Sequence, residues 1–359
     1  MNDPSKPETS GSAQSAQTPL TPTPPVTQPD KETLKKLTAG FKPGDVIVNR
    51  YEVQKMLGRG GMGMVYLVHD REMNQSMALK TLLPQYLSSS HAVKRFVREV
   101  NAVRSLDHPC IVKIYDAQQI GSILYYTMEY VDGTSLFKYM KKKGRLGLGS
   151  VVRVLSLLCH ALEHAHQYAI HRDLSPDNVM VLSNGNIKLL DFGLAKLTNV
   201  ESQFTMIGVS LGKQQYMAPE QRMSAAEVDK RADIYSLGVM FYELISGQLP
   251  KGDTKITDLV PDLPRDADAF VKKAMAKDPN DRFQDAREFR LALAALYKQS
   301  TGVAIPGTEA ELVQQQTPVP VSSGGDVTPL PVEVPRHAPQ GVLARILAIV
   351  SDILSKFRR

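Results

Sequence analysis

Residues 234–245 (IYSLGVMFYELI) carry apolar side chains on nearly every face of a helix-length run. A helix of that kind cannot present a wet side, so it must be buried centrally, with other elements covering it all round. The chain can supply that cover: at 359 residues and 42% hydrophobic content it has room for one large or two ordinary domains with a sizeable core. Val151–Ala169 reads as a second apolar helix, and Asp233, at the start of the central one, is expected to cap it. Two stretches cannot join this core. Residues 1–30 hold seven prolines among Ser, Thr and Gln, with Thr18, Thr21 and Thr23 each preceding one, and 299–340 are again rich in Pro, Gln and Ser. Neither buries enough apolar area to fold, so the folded domain is expected to span 45–298, between a disordered tail (1–44) and a disordered linker (299–340).

The domain opens with strand-like alternation through Val46, Val48 and Tyr51–Val53. Leu57-Gly58-Arg59-Gly60-Gly61-Met62-Gly63-Met64-Val65 then spaces Gly58, Gly60 and Gly63 as G-x-G-x-x-G-x-V. Such glycines let a backbone fold tightly over phosphates with its amides turned to the anion. A dinucleotide-binding turn or a plain hairpin uses the same letters. The former should open a helix, whereas Val65–Val68 continues as a strand and leads through a turn at Asp70–Gln75 into Ser76-Met77-Ala78-Leu79-Lys80. Lys80 closes that strand, as an exposed strand-end lysine also would. Val93, Phe96, Val97, Val100 and Val103 form a helical stripe with Glu99 at its edge, ended by Pro109, and strands are expected at Ile111–Asp116 and Ile123–Tyr130. Lys141–Lys143 reads as a solvated helix end.

The most informative polar stretch is His171-Arg172-Asp173-Leu174-Ser175-Pro176-Asp177-Asn178, between the Val151–Ala169 helix and a strand at Val179–Leu182. Asp173 and Asn178 are five apart, so a carboxylate can face a substrate hydroxyl while an amide reaches a metal ion on the same side. The bland alternative is a helix-to-strand turn rich in turn formers. A further apolar strand, Ile187–Leu190, runs into Asp191-Phe192-Gly193, followed later by Ala218-Pro219-Glu220 and Asp278-Pro279-Asn280-Asp281-Arg282-Phe283.

Taken together and in order, the glycine run, Lys80, Glu99, the H-R-D-L-x-x-x-N string, D-F-G and A-P-E resemble the eukaryotic-like Ser/Thr protein kinases of bacteria. The resemblance implies an α+β, two-lobed protein kinase fold, with a small β-rich N-lobe containing one helix and a larger, mainly α-helical C-lobe. It implies ATP in the cleft between them. Gly58 to Gly63 would lie over the phosphates, Val65 and Ala78 above adenine and Met180 below it. Met128 would be the gatekeeper, with Glu129 and Val131 in the hinge. It further implies Lys80 on the first two phosphates and paired with Glu99, Asp173 as acceptor of the substrate proton, Mg2+ on Asn178 and Asp191, Asp233 holding the catalytic-loop backbone, and Arg282 paired with Glu220. The implied activity is transfer of the γ-phosphate of ATP to protein Ser/Thr hydroxyls, with autophosphorylation at Thr205, or at Thr198, Ser202 or Ser210, anchored by Arg172.

Three departures favour the alternative of a pseudokinase scaffold. Ser175 replaces a lysine, Lys213 stands where a threonine is usual, and Gly252–Ala267 is short for a substrate-docking helix. Against that alternative, all the metal- and proton-handling residues are intact, and Lys213 is expected either to take over the phosphate contact that Ser175 cannot make or to point to solvent in a slower enzyme. The formal charge of +6 is modest and not gathered into an aromatic-laced arm, so no nucleic-acid partner is expected. Cys110 and Cys159 form no framework, which points to a reducing cytoplasm, and no apolar run reaches the roughly 18 residues of a membrane span. Residues 341–359 are expected to form an amphipathic helix, with Arg345, Lys356, Arg358 and Arg359 favouring an anionic membrane surface, or else a partner or the domain itself.

Overall fold

The computed structural model describes residues 36, 38–60, 63–82, 96, 100, 103–120, 123–192, 213–223 and 228–303. Six strands make one antiparallel sheet: β1 (Val46–Ile47), β2 (Tyr51–Gly60), β3 (Gly63–Asp70), β4 (Gln75–Leu82), β5 (Ile114–Ile120) and β6 (Ile123–Met128), in the order β1-β2-β3-β4-β6-β5. Alternation along the strands gives the sheet two apolar faces. Tyr51, Val53, Met64, Tyr66, Val68, Leu79 and Tyr125 close a small core with Phe41 and Ile47. The opposite face turns Ala78, Leu82, Tyr126 and Met128 towards the helical residues Phe96, Val100 and Val103 and the main core.

Two strand expectations are corrected here. Val48 and Asn49 have φ of 48° and 59°, so the chain turns between β1 and β2 instead of running on as one strand. Ile111 makes only an isolated bridge to Leu189, and β5 begins at Ile114, because the residues after Pro109 are tied to the lower lobe.

The larger lobe holds β7 (Thr134–Ser135), β8 (Val179–Val181) and β9 (Ile187–Leu189) beside α1 (Leu136–Lys143), α2 (Leu148–Ala165), α3 (Pro219–Met223), α4 (Arg231–Ser246), α5 (Ile256–Leu259), α6 (Ala267–Ala274) and α7 (Ala286–Thr301). α4 is the central helix: from Ala232 to Ile245 only Tyr235 escapes full burial, and Gly247 ends the helix at φ 77°. α2, α5 and α6 pack on it, while α7 packs on α2 and α6. Phe241, Phe270, Phe283 and Phe289 join α4, α6 and α7, with ring centroids 4.9–5.6 Å apart. Lys141, Lys142 and Lys143 are exposed in the last turn of α1, where the helix dipole favours cations.

Asp233 does not cap α4. The helix begins at Arg231 with no side-chain cap, and the Asp233 carboxylate, in the first turn, is spent on the neighbouring loop. The region 252–267 offers a single helical turn, α5, so the expected shortening of a docking helix is present in the backbone.

Candidate active site

The polar loop 171–178 emerges where α2 ends and is held from beneath. Asp233 accepts the His171 N–H at 2.9 Å and the Arg172 N–H at 2.8 Å, and its Oδ2 also lies 2.9 Å from His166 Nε2. Burial works against ionising Asp233, but the hydrogen bond from His166, the nearby histidines and the His171 amide outweigh it and hold the carboxyl below its usual range. Arg172 can therefore be kept at φ 61°, a conformation that a non-glycine residue adopts only where its surroundings impose it.

His171 ties this loop to the one bearing Asp191. Its Nε2 lies 2.8 Å from the Leu190 carbonyl, and its Nδ1 accepts the Asp173 N–H at 3.3 Å. One nitrogen donating and one accepting is the neutral ring, and burial, which pushes His171 below its ordinary value, agrees. The ring packs on Phe192 at 4.8 Å.

Pro176–Asn178 form a short 3-10 turn that brings Asn178 back beside Asp173. Asn178 Nδ2 donates to the Asp173 carbonyl at 2.7 Å and to its Oδ2 at 3.0 Å. The amide oxygen is then the atom with which Asn178 can meet a cation. The Leu190 N–H donates to the Asn178 carbonyl at 2.8 Å, and Val179 pairs with Leu189, so Asn178 and Asp191 stand at adjacent ends of β8 and β9. An amide and a carboxylate oxygen suit Mg2+, which takes few protein ligands and completes its shell with phosphates and water. Among the described residues no cluster of three His, Cys, Asp or Glu side chains forms a dedicated metal cage.

Lys80 reaches this pair from the sheet. Its Nζ lies 2.7 Å from Asp191 Oδ2, while the Tyr126 hydroxyl donates to Asp191 Oδ1 at 2.7 Å. Burial, then the adjacent carboxylate, push the Tyr126 phenol well above its ordinary range, so it remains a donor. Asp191 itself sits at φ 44°.

β2 and β3 form the roof as a tight hairpin pairing Gly58 with Val65 and Gly60 with Gly63. A Cβ at Gly58 would meet nothing within 4 Å, whereas one at Gly63 would lie 1.9 Å from the Thr81 carbonyl oxygen. Gly63 thus serves close strand packing, while Gly58 and Gly60 keep the surface bare. Leu57 and Arg59 are exposed at the hairpin, and Arg59 Nη2 donates to the Thr38 carbonyl at 2.8 Å. Ala78 pairs with Met128, which is buried at the end of β6. Glu129 turns its carboxylate to Lys188 Nζ, 2.7 Å away, and its N–H donates to the Lys113 carbonyl at 2.9 Å, so its carbonyl is the backbone group that can face a ligand. Val131 is half-buried against the main core, and Met180 is half-buried on β8.

Gly61, Met62, Glu99, Gly193, Thr198, Ser202, Thr205 and Ser210 lie outside the described residues, as do 341–359. The backbone of Lys213 opens a 3-10 turn to Tyr216, and this turn is seated on α4: Ser236 Oγ donates to the Tyr216 carbonyl at 2.8 Å, and the Tyr216 hydroxyl bonds to Glu243. Gln221 of α3 joins that helix to the catalytic loop by donating to the Arg172 carbonyl at 2.8 Å. Glu220 and Arg282 form a two-pronged pair at 2.6 and 2.7 Å, with the Arg282 side chain fully buried. Sequence reasoning missed Tyr126, His166, Lys188, Gln221 and Glu243. Tyr126 shares a strand face with Met128, and only the β4–β6 register, which sets it opposite Lys80, would have singled it out.

Comparisons with known proteins show the family of the chain. The model of the protein kinase domain matches residues 51–291. The chain is 33% identical over 312 residues to the serine/threonine-protein kinase PknB of Mycolicibacterium smegmatis, covering 81% of this chain and 50% of that one. It is 34% identical over 261 residues to PrkC of Bacillus subtilis, covering 68% and 40%. The chain thus spans half or less of the length of these relatives. The crystal structure of the Mycobacterium tuberculosis PknI kinase domain superimposes with a TM-score of 0.59 at 32% identity, covering 72% of this chain and 99% of that one.

Proposed function

The chain belongs to the protein kinase family, and from that footing we propose that it transfers the γ-phosphoryl group of ATP to serine and threonine hydroxyls of proteins, itself included. The observation that carries the reading is the convergence of Lys80 on Asp191 from one side of the cleft and of Asn178 on Asp173 from the other. Asp173, oriented by Asn178 and by a loop anchored on Asp233, accepts the proton of the attacking hydroxyl. Lys80 supplies positive charge to the phosphates, and the bare hairpin at Gly58 and Gly60 admits them beneath its amides. Asn178 and Asp191 would hold Mg2+, which would supply neutralising charge at the phosphates. Adenine lies between Val65 and Ala78 above and Met180 below, against the backbone of Glu129 and Val131.

Protein substrates, autophosphorylation at Thr205 with Arg172 as its anchor, and a place in the cytoplasm with 341–359 on a membrane surface complete the reading. No helix among the described residues is long and apolar enough to cross a membrane. The deciding experiment follows radiolabelled phosphate from ATP into protein, comparing wild type with Asp173→Asn. Loss of the general base is expected to lower transfer by roughly 10²- to 10⁴-fold. Wild-type protein that binds ATP without transferring phosphate would instead be a nucleotide-binding scaffold.

A further inference from the structure

Tyr126 has no part in the reading above, yet its hydroxyl ends at the centre of the site. It stands opposite Lys80 in the β4–β6 register, so phenol and ammonium leave the sheet side by side, with Lys80 Nζ 5.7 Å from the ring centroid. Both close on one carboxylate, Lys80 on Asp191 Oδ2 and Tyr126 on Oδ1, each at 2.7 Å. The ring is 3% exposed and tilted against Phe96 at 6.1 Å, so the phenol cannot swing aside. A phenylalanine would fill the same space, and a buried hydroxyl costs free energy unless it is bonded. Here its bond goes to Asp191. A carboxylate oxygen that accepts one hydrogen bond keeps another lone pair for a cation, so this grip and metal coordination are compatible.

We propose that Tyr126 is a positioning residue whose hydroxyl fixes the orientation in which the Asp191 carboxylate meets Mg2+. The role rests on the assignment of Asp191 as a metal ligand. Partners that orient a ligating carboxylate typically affect metal affinity about 10- to 100-fold when removed.

The test uses Mn2+ in place of Mg2+. Its binding to the full chain is followed by electron paramagnetic resonance in the presence of a non-hydrolysable ATP analogue, so the readout does not depend on turnover. Tyr126→Phe removes the donor and keeps the ring. It is expected to weaken Mn2+ binding roughly tenfold, while the metal-free affinity for the analogue stays within about twofold. Tyr125→Phe is the control, because that hydroxyl reaches Gln118 at 3.4 Å and its ring packs in the small core on the other face of the sheet. It should leave Mn2+ binding unchanged. Unaltered or tighter Mn2+ binding in Tyr126→Phe, or an equal loss in Tyr125→Phe, overturns the role. Asp191→Asn separates the two levels: if it binds Mn2+ like wild type, the ligand assignment fails and takes the proposal with it. If it loses Mn2+ while Tyr126→Phe does not, only the positioning role fails.

Discussion

Ser175 is 1% exposed, and its hydroxyl meets no hydrogen-bond partner among the described residues, at the position where the kinase resemblance calls for a phosphate-binding lysine. A buried short hydroxyl cannot supply that charge, so the cation must come from elsewhere or be lacking. We propose Lys213, whose backbone opens the turn that Ser236 seats on α4, as that donor. Lys213→Thr should then lower turnover by roughly ten- to a thousand-fold, as expected for one lost transition-state charge contact, and Ser175→Lys added to it should restore much of the loss. Steady-state rates for the two single variants and the double variant measure the coupling, and purely additive effects would show that no charge had moved. Lys80→Met and Asp191→Asn make a firmer pair. Each removes one side of the 2.7 Å contact in the cleft, so both should abolish phosphoryl transfer while circular dichroism and the unfolding midpoint stay near wild type.

Elements explain which of these residues could be found in advance. Lys80, Asp173, Asn178, Asp191, Glu220 and Arg282 could be picked out because each stands in a short motif that resembles a known family, a resemblance that also implied the Glu220–Arg282 pair across 62 residues, and the helix at 234–245 could be picked out because no wet face exists. What stayed hidden depends on pairings across 49 to 67 residues that no short motif carries: Gln221 of α3 with Arg172, Tyr126 of β6 with Asp191, and His166 with Asp233 of α4. Asp233 was legible in half: its hold on the catalytic-loop backbone was expected and is present, whereas the cap that an acidic residue at a helix start suggests is absent because the loop takes the carboxylate. Glu220 and Arg282 join α3 to the segment before α7, and Arg282 also donates to the carbonyls of Ala276, Lys277 and Arg231. Glu220→Gln leaves that guanidinium buried without its anion and should cost about 3–5 kcal/mol in urea unfolding. Acid should also destabilise the domain. His108, in the segment before β5, stacks on His164 of α2 at 5.5 Å, and burial, then His164, His160 and Lys188, hold it down to about 4 from its ordinary 6.5. The unfolded chain therefore takes up a proton below about pH 6.5 that the folded one refuses until about pH 4. This stability is present above pH 6.5 and lost as pH falls through that window, with a slope of about 1.4 kcal/mol per pH unit for each proton. His171 acts in the same direction. Urea midpoints between pH 7 and 4 should fall for wild type and fall less for His108→Gln, whereas parallel curves would remove His108 from the account.

At the scale of the molecule, the kinase domain accounts for the matched residues 51–291, and the last helix of that body, α7, runs on to Thr301. Residues 341–359 remain to be explained by physics alone. As the helix expected from the sequence, 341–359 would set Val342, Leu343, Ile346, Leu347, Ile349, Val350, Ile353, Leu354 and Phe357 on one broad face, too wide an apolar surface to leave in water. Arg345, Lys356, Arg358 and Arg359 accompany it, and each basic side chain near an anionic membrane contributes on the order of 1 kcal/mol. The apolar face and the charges reinforce one another only at an anionic lipid surface, whereas docking on the domain would use the apolar face alone. Sedimentation with vesicles of mixed anionic lipid should therefore capture the full chain, release it as salt shortens the screening length, and fail to capture a chain lacking 341–359. Neutral vesicles should capture both forms weakly. Equal capture of the two forms on anionic vesicles would remove the membrane role. If deletion instead changes oligomer size or phosphoryl transfer with no effect on lipid binding, the apolar face docks on protein, its own domain or a neighbouring copy.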